Sequence, residues 1–329
     1  MKICIIGASG HYWSTLKAVQ ADPDASVIGV APGAPGEEME NLVNHPHLGR
    51  TTLYDCYTAM LEKEKPDIVV VNSHFYLNGK IAANTVRRGI HTYTEKPMAT
   101  TLDDLNDLRK AAQENPKVLL LAMQELRYGP AVIAAKQAID SGVVGEIVQA
   151  TAQKSYKIGN RPAFYRKQET YGGIIPWIGT HAIDWIHWYT GKRFISGYAS
   201  QTRIGNRDHG EMESAATAVL ALEGSIPATI NLDFCRPVEA PTHGDDRIRI
   251  IGSKGVVEVK DNTATLITDT AGPVDLEIGP ERNVFREIMD TVREKKSGLL
   301  LSTGESFYVS EVCLKLRTSA ETGAIVDLR

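Results

Sequence analysis

Short, largely apolar segments that alternate with helical segments are the feature that most constrains the fold of this chain. Strands are predicted at Lys2–Gly7, Val27–Ala31, Ile68–Asn72, Ile90–Thr94 and Val118–Ala122. Helices are predicted between them at Ser14–Gln20, Tyr57–Glu64, Gly79–Arg88 and Thr101–Gln113. Apolar strands separated by helices belong in a parallel sheet that is covered on both faces. Residues 1–122 are therefore predicted to form a Rossmann-like, doubly wound α/β domain.

The pattern changes after residue 122. A helix is predicted at Pro130–Ser141, followed by longer, more alternating strands with short turns between them. These strands are predicted at Ile147–Ser155, Phe194–Thr202, Ser214–Leu222, Ala228–Cys235, Arg247–Gly252 and Gly255–Lys260. Short links without helices favour a large, mostly antiparallel open sheet with helices on one face. Residues 123–329 are thus predicted as an α+β domain, with late helices at Phe285–Arg293 and Glu305–Thr318.

Composition narrows the class of protein. An apolar content of 43% and a charged content of 23% over 329 residues indicate an ordinary globular protein. The net charge of -4 gives no electrostatic basis for a nucleic-acid or membrane partner. The four cysteines are scattered without a C-x-x-C pair, which is typical of free thiols in a reducing compartment. No apolar run approaches the roughly 18 residues of a transmembrane helix, and we expect a cytoplasmic protein.

The turn after the first predicted strand matches a dinucleotide-binding fingerprint only in part. In the register of G-x-G-x-x-G it carries Gly7, Ser9 and Tyr12. Backbone N–H groups at the start of the next helix nevertheless form an anion site. The second strand ends at Ala31 without the acid that binds ribose hydroxyls, and no arginine follows to bind a 2′-phosphate. The choice between NAD and NADP therefore stays open.

Glu95-Lys96-Pro97 directly follows the predicted strand Ile90–Thr94. The carboxyl ends of strands in an open α/β sheet face the ligand crevice. Because proline has no backbone donor, the strand must end at Pro97, which places Lys96 beside the Glu95 carboxylate. An ordinary surface lysine is the competing interpretation, and position alone favours neither.

A second candidate cluster lies on one predicted helical face. Trp177, His181, Asp184 and Trp188 are spaced by four, three and four residues, so they share that face. One interpretation is a buried aromatic stripe with a satisfied core histidine. The other is an imidazole, held by Asp184 or a backbone group, that donates or accepts a proton. We favour the second, because a carboxylate and an imidazole among indoles are costly without a role.

Other segments carry weaker signals. The polar and aromatic segment Lys157–Tyr171 is either a long surface loop or part of a pocket lining, and Arg236–Asp246 is a candidate for a pocket rim. His45-Pro46-His47 and His209-Gly210-Glu211 lack the third and fourth ligands that a metal requires. We therefore predict no metal site.

With both motifs in place, the chain resembles the glucose-fructose oxidoreductase, inositol dehydrogenase and MocA family of NAD(P)-dependent sugar and cyclitol dehydrogenases. The resemblance covers nearly the whole chain and rests on Glu95–Thr101, Arg127-Tyr128, Gly142–Ile147, Gly172–Asp184, Arg249–Gly255 and Ser319–Gly323. It implies that Lys96 hydrogen-bonds the substrate hydroxyl and the cofactor ribose. It also implies that His181 is the general base for the hydroxyl proton while hydride passes to the nicotinamide.

The resemblance implies the other site residues and the partners as well. The substrate-binding residues are expected to be Trp177, Asp184, Tyr156, Arg161 and Tyr165. The cofactor-binding residues are expected to be Gly7, Ser9, Gly10, His11, Tyr12, Ala31, Ser73, His74, Asn78, Glu95 and Lys96. The expected substrate is a small polyhydroxylated molecule, and the expected assembly is a homodimer or homotetramer without nucleic acid or membrane partners.

Trp177 departs from the family pattern, because many members carry an aspartate there. Its indole removes a negative charge near the imidazole, which lowers the basicity of the histidine or marks a substrate that stacks on an aromatic face. Two alternatives follow from this departure and from the incomplete glycine turn. One is a cofactor-binding sensor or regulator without turnover; the other is a lyase, hydrolase or epimerase that retains its cofactor.

Overall fold

The structure, a computed structural model, describes residues 1–294 and 298–329. They group into two compact units. The first contains Met1–Met123, Glu169–Gly172 and Asn283–Ser310, and the second contains Gln124–Gln168, Gly173–Arg282 and Glu311–Arg329. The two domains were predicted as continuous segments, residues 1–122 and 123–329. In the structure, Asn283–Ser310 belongs to the first unit instead.

The first unit is built on a six-stranded parallel sheet in the order β3-β2-β1-β4-β5-β6. Its strands are β1 Lys2–Ile6, β2 Ser26–Ala31, β3 Thr52–Leu53, β4 Ile68–Val71, β5 His91–Thr94 and β6 Leu120–Ala122. Its first helices are α1 Tyr12–Gln20, α2 Glu40–Val43, α3 Tyr57–Glu64, α4 Phe75–Arg87 and α5 Leu102–Glu114. This strand order is that of dinucleotide-binding folds, so the predicted Rossmann-like class is confirmed.

Apolar side chains on both faces explain the parallel sheet. Every residue of β4 is buried, and Cys4, Ile6, Val69 and Val71 belong to one core cluster of the first unit. Strands buried on both faces need helices on both sides. The helix predicted to begin at Gly79 begins at Phe75 instead. The ring of Phe75 is buried, so the first turn of α4 lies closer to the end of β4 than predicted.

The second unit is built on a nine-stranded sheet in the order β14-β13-β12-β11-β7-β10-β9-β8-β15. Its strands are β7 Ile147–Tyr156, β8 Phe194–Thr202, β9 Ala215–Leu222, β10 Ile226–Asp233, β11 Gly244–Gly252, β12 Gly255–Lys260, β13 Thr263–Thr268, β14 Ala271–Asp275 and β15 Val326–Asp327. The remaining helices of the chain are α6 Pro130–Asp140, α7 Gln168–Tyr171, α8 Thr180–Thr190, α9 Val284–Val292 and α10 Thr303–Thr322.

Alternating burial gives the second sheet one covered face. The residues of β9 alternate between buried or half-buried and exposed, and α8 packs on β7, β10 and β11. All neighbouring pairs are antiparallel except β7 with β10, so the predicted mostly antiparallel sheet is confirmed. Strands β13, β14 and β15 were not predicted; β14 is exposed along its whole length and β15 has only two residues, so neither carries an apolar pattern.

The first unit resumes at Asn283, directly before α9. Its side-chain oxygen accepts hydrogen bonds from the N–H groups of Phe285 and Arg286, which caps α9. Its Nδ2 donates to the Ser14 carbonyl at 3.0 Å, and the Phe285 ring lies 5.8 Å from that of Tyr93. Helix α9 therefore completes the core of the first unit.

Two chain-wide features bear on function. Within residues 1–294 and 298–329, no helix is both long and apolar enough to cross a membrane. Cys4, Cys56, Cys235 and Cys313 are free thiols, as predicted.

Candidate active site

The glycine turn after β1 packs against the carboxyl ends of β2 and β4. Gly7 has a φ of +83°, and a Cβ at this position would lie 2.5 Å from the Cα of Ser73. Its N–H donates to the Ala31 carbonyl at 2.8 Å, and the Ser9 N–H donates to the Asn72 carbonyl at 2.7 Å. Only glycine fits at residue 7, and the turn joins the carboxyl ends of β1, β2 and β4.

Glu37 is the principal site residue that sequence analysis missed. Its side chain is buried, and its carboxylate accepts five hydrogen bonds. The donors are the N–H groups of Ala8, Gly33 and Ala34 and the hydroxyls of Ser9 and Ser73, at 2.5 to 3.1 Å. The acid expected at the end of β2 is therefore present beyond the turn 32–36, which folds the chain back to the sheet edge.

Asn72 is a second residue that sequence analysis missed. It follows β4, is fully buried, and neither Nδ2 nor Oδ1 hydrogen-bonds to any residue that the structure describes. A Cβ on Gly10 would lie 2.5 Å from Asn72 Oδ1, so this amide faces the glycine turn. A buried amide without partners is costly and indicates a polar ligand. The turn and Asn72 together fit a dinucleotide, and Glu37 holds the turn and places a carboxylate beside it.

Glu95 connects the glycine turn to Lys96. One carboxylate oxygen accepts the Lys96 N–H at 2.9 Å and lies 3.9 Å from Lys96 Nζ. The other accepts the His11 N–H at 2.6 Å and contacts the His11 ring Nδ1 at 2.7 Å. Burial opposes ionisation of Glu95, but His11, Lys96 and the hydrogen bonds outweigh it and hold its pKa below the usual value. Glu95 is thus a buried carboxylate between two basic side chains.

The other predicted cofactor-binding residues differ in what their side chains contact. Asn78 on α4 is fully buried and donates through Nδ2 to the carbonyls of Glu95 and Pro97, at 3.4 and 3.3 Å. It therefore holds the Glu95–Pro97 backbone, in which the Lys96–Pro97 peptide is cis. His74 precedes α4, and burial lowers its pKa, which favours the neutral ring. Tyr12 begins α1, and its buried ring contacts Trp13.

His181 lies in the first turn of α8, in the second unit. A π-type turn at Ile175–Gly179 precedes this helix, and such wide turns occur often at functional sites. His181 is 7% exposed. Its neighbour Thr180 accepts a hydrogen bond from Gln124 Nε2 at 3.4 Å. The imidazole is therefore buried on a helix that polar contacts hold in place.

Asp184 occupies a different environment from the one predicted. Arg127 donates to its two carboxylate oxygens at 2.8 and 2.7 Å, and the side chains are 0% and 1% exposed. The Arg127 guanidinium also lies 5.5 Å from the Trp188 ring. Asp184 and Trp188 therefore belong to a buried ion-pair cluster that fixes α8. Asp184 is therefore held by Arg127, and its expected substrate-binding role stays a prediction.

Trp177 belongs to an aromatic wall in the second unit. Its ring stacks on Phe234 at 5.3 Å and meets Tyr165 edge-on at 5.1 Å. The Arg161 guanidinium lies 5.0 Å from the Trp177 ring and 5.7 Å from that of Tyr165. The structure thus brings three of the predicted substrate-binding residues together and adds Phe234, which sequence analysis did not single out.

Tyr156 ends β7 in a buried polar network. Its hydroxyl donates to Asp246 at 3.2 Å, and Lys154, whose side chain is fully buried, pairs with the same carboxylate. Burial and the Asp246 charge raise the Tyr156 pKa well above its usual value, so the phenol keeps its proton. The Lys154 ammonium also lies 4.4 Å from the Trp185 ring. Lys154 and Asp246 were missed because an alternating strand pattern does not distinguish a buried lysine from an exposed one.

A parallel sheet with a glycine turn and a buried acid at its carboxyl edge defines a dinucleotide-binding α/β protein. Residues 1–123 match the family described as the oxidoreductase family, NAD-binding Rossmann fold, and residues 132–258 match the GFO/IDH/MocA C-terminal domain. The chain belongs to the glucose-fructose oxidoreductase, inositol dehydrogenase and MocA family of oxidoreductases. The predicted family and nicotinamide cofactor are confirmed.

Individual relatives agree with this assignment. A Thermotoga maritima structure described as an oxidoreductase is 42% identical, with a TM-score of 0.96 over 99% of this chain and 100% of that one. D-glucoside 3-dehydrogenase of Escherichia coli is 23% identical over 85% of this chain and 84% of its own. A mouse glucose-fructose oxidoreductase domain-containing protein is 25% identical over 60% of this chain. The match spans about half of that protein's length, 53%. Levoglucosan dehydrogenase, solved with NADH and levoglucosan, shares the fold at a TM-score of 0.84 and 15% identity.

Proposed function

We propose that the protein is an NAD-dependent dehydrogenase acting on a hydroxyl-bearing carbon of a small sugar, cyclitol or sugar derivative. The observation that carries this proposal is the buried Lys96 beside the buried Glu95 carboxylate, at the edge where the dinucleotide residues converge. Lys96 Nζ lies 3.9 Å from that carboxylate, and the lysine is only 5% exposed. When bound, NAD supplies the hydride acceptor. Dehydrogenase names among the relatives also support the proposal.

The side chains divide the chemistry between them in this proposal. Lys96 donates a hydrogen bond to the reacting hydroxyl oxygen and stabilises the negative charge that develops there. His181 accepts the hydroxyl proton as the general base. Trp177 and Phe234 offer an apolar face of the kind on which sugar rings pack. Arg127 and Asp184 hold α8, and therefore His181, in place.

Cofactor titration and a substrate screen test the proposal in two steps. Binding of NADH and NADPH is followed by fluorescence, and polyols, sugars and sugar acids are then screened for NADH formation by absorbance. Binding of NADH with turnover of at least one substrate supports the dehydrogenase. Binding without turnover of any of them supports the sensor instead, and failure to bind either cofactor contradicts both.

We expect His181→Asn to lower kcat/KM by about 10²- to 10⁴-fold, because the hydroxyl proton loses its acceptor. His187→Asn is the matched control, since His187 lies half-buried on the same helix with its ring against the Lys192 carbonyl. A kcat/KM that falls no further in His181→Asn than in His187→Asn contradicts the assigned base.

We expect Glu37→Gln to lower the preference for NAD over NADP by about tenfold or more, because it removes the negative charge at the glycine turn that repels a 2′-phosphate. The ratio of the two dissociation constants, measured by fluorescence titration, is the readout. Glu38→Gln is the control, because Glu38 is the exposed neighbour in the same loop. Equal preference in Glu37→Gln and the native protein would remove Glu37 from cofactor selection.

The predicted homodimer or homotetramer and the predicted cytoplasmic location stay predictions. Tyr198 and Val219 pair across β8 and β9, and both are exposed on the uncovered sheet face. An apolar pair of this kind supports self-association.

A further inference from the structure

The helical segment that carries Trp177 and His181 begins at residues that cannot cap it themselves. It starts at Ile174, directly after Gly173, and neither residue has a side-chain oxygen that could accept the first N–H groups of a helix. Gly173 has a φ of +103°, and glycine loses more backbone freedom on folding than any other residue. The start of this segment therefore depends on a contact from another element.

Glu213 supplies that contact from 39 residues away in the sequence. One of its carboxylate oxygens accepts the Ile174 N–H at 3.2 Å, and Glu213 is only 1% exposed. The other oxygen accepts a hydrogen bond from Gln168 Nε2 at 3.3 Å. The first N–H groups of a helix have no partner within the helix, and a negative charge is favourable at that end of the helix dipole. Glu213 thus takes the place of a local N-cap.

The sheet of the second unit holds Glu213 through its neighbour Ser214. The Ser214 N–H donates to the Thr202 carbonyl at the end of β8, at 2.8 Å, and the Ser214 hydroxyl donates to the Ile204 carbonyl at 2.7 Å. The Ser214 carbonyl accepts the N–H of Phe234 at 2.8 Å. Because its neighbour is fixed at three points, Glu213 fixes the start of the helical segment relative to β8.

His181 lies between two anchors of its helix. Glu213 binds the segment at Ile174, before the imidazole, and Arg127 binds it at Asp184, one turn beyond the imidazole. We propose that Glu213 is a positioning residue of the candidate active site: by binding Ile174 it sets where the helix begins and thereby where the His181 imidazole lies. This inference rests on the proposed function, in which His181 is the general base.

Variants of Glu213 in the full chain test the inference on a substrate confirmed by the screen. Glu213→Leu removes the acceptor and should lower kcat by about 10- to 100-fold, because a shift of the base by about 1 Å is enough for such a loss. The KM of the substrate should change less than kcat. Glu213→Gln keeps an oxygen that accepts the Ile174 N–H, so its kcat should stay within about threefold of the native value.

Glu213→Asp keeps the charge but is one methylene shorter, so its carboxylate is withdrawn from Ile174. Its kcat should fall about tenfold, and it provides the measurement if Glu213→Leu does not fold. A native kcat in both variants overturns the inference, and so does a Glu213→Gln variant that loses as much kcat as Glu213→Leu.

A double variant shows whether Glu213 acts through His181. In the His181→Asn background, Glu213→Leu should lower kcat by less than about twofold further, because the base whose place it sets is already absent. A carboxylate with a merely structural role would lower kcat by the same factor in both backgrounds. That result overturns the inference.

Hydrogen exchange tests the contact without any substrate. Deuterium uptake in peptides that cover residues 174–181 should rise in Glu213→Leu, since the helix start loses its anchor. Glu211→Leu is the matched control and should keep the native uptake and kcat, because the exposed Glu211 carboxylate accepts the Gln168 N–H at 2.9 Å instead. Native uptake in Glu213→Leu overturns the inference, whereas a native chain that turns over no substrate contradicts the proposed function itself.

Discussion

Replacing Lys96 with alanine is expected to lower kcat/KM by about 10³-fold, a much larger effect than the loss of NADH affinity that follows from one missing hydrogen bond to the ribose. The ammonium is the charge that the site aims at the reacting hydroxyl, and it acts most strongly on the negative charge of the transition state. Since Glu95 keeps its bonds to His11 when the lysine is removed, the glycine turn and the cofactor site should survive. Steady-state kinetics on a confirmed substrate and NADH titration measure the two effects separately.

Two controls separate lost chemistry from lost structure. Lys80→Ala removes an exposed lysine of α4 that lies 3.9 Å from Asp104, and it should leave kcat/KM unchanged. Small primary amines added to Lys96→Ala should restore part of the rate, because an amine can occupy the space left by the side chain. If Lys96→Ala keeps more than about a tenth of the native kcat/KM, Lys96 is not the stabilising cation proposed here.

The sheet that positions this site could be predicted from the sequence, because each of its strands is recognisable from a few neighbouring residues. Each strand of the first unit is a short apolar run, and parallel strands bring their carboxyl ends to one edge whatever the loops contain. The sequence therefore predicts that one edge of the sheet brings together Gly7, Ser9, His11, Glu95 and Lys96. The wide helical turn before α8 could not be predicted in this way, since its residues also fit a regular helix.

The missed residues are those whose partners lie far away in the sequence. Glu37 was overlooked because an acid was sought at the end of β2, while a turn rich in proline and glycine brings it back from beyond the strand. The ion pair between Asp184 and Arg127 was not predicted, because the two residues are 57 positions apart in the sequence. Spacing rules describe one helix or one strand, so they cannot identify a charge supplied by another element.

The buried Arg127–Asp184 pair gives the largest expected effect on stability. Arg127→Met should lower the free energy of unfolding by about 3–5 kcal/mol, because it removes the guanidinium that pairs with the buried Asp184 carboxylate. The double variant Arg127→Met with Asp184→Leu should recover most of that loss, since apolar side chains of similar size can replace such a pair. Urea unfolding followed by tryptophan fluorescence is a suitable measurement, because Trp177, Trp185 and Trp188 all lie in the second unit.

An exposed pair in the same chain provides the comparison. Arg87 and Asp107 form two side-chain hydrogen bonds, but their side chains are 41% and 53% exposed. Arg87→Met should therefore cost less than about 1 kcal/mol, since water and salt screen the lost attraction. If Arg127→Met costs no more than Arg87→Met, the buried pair does not stabilise α8.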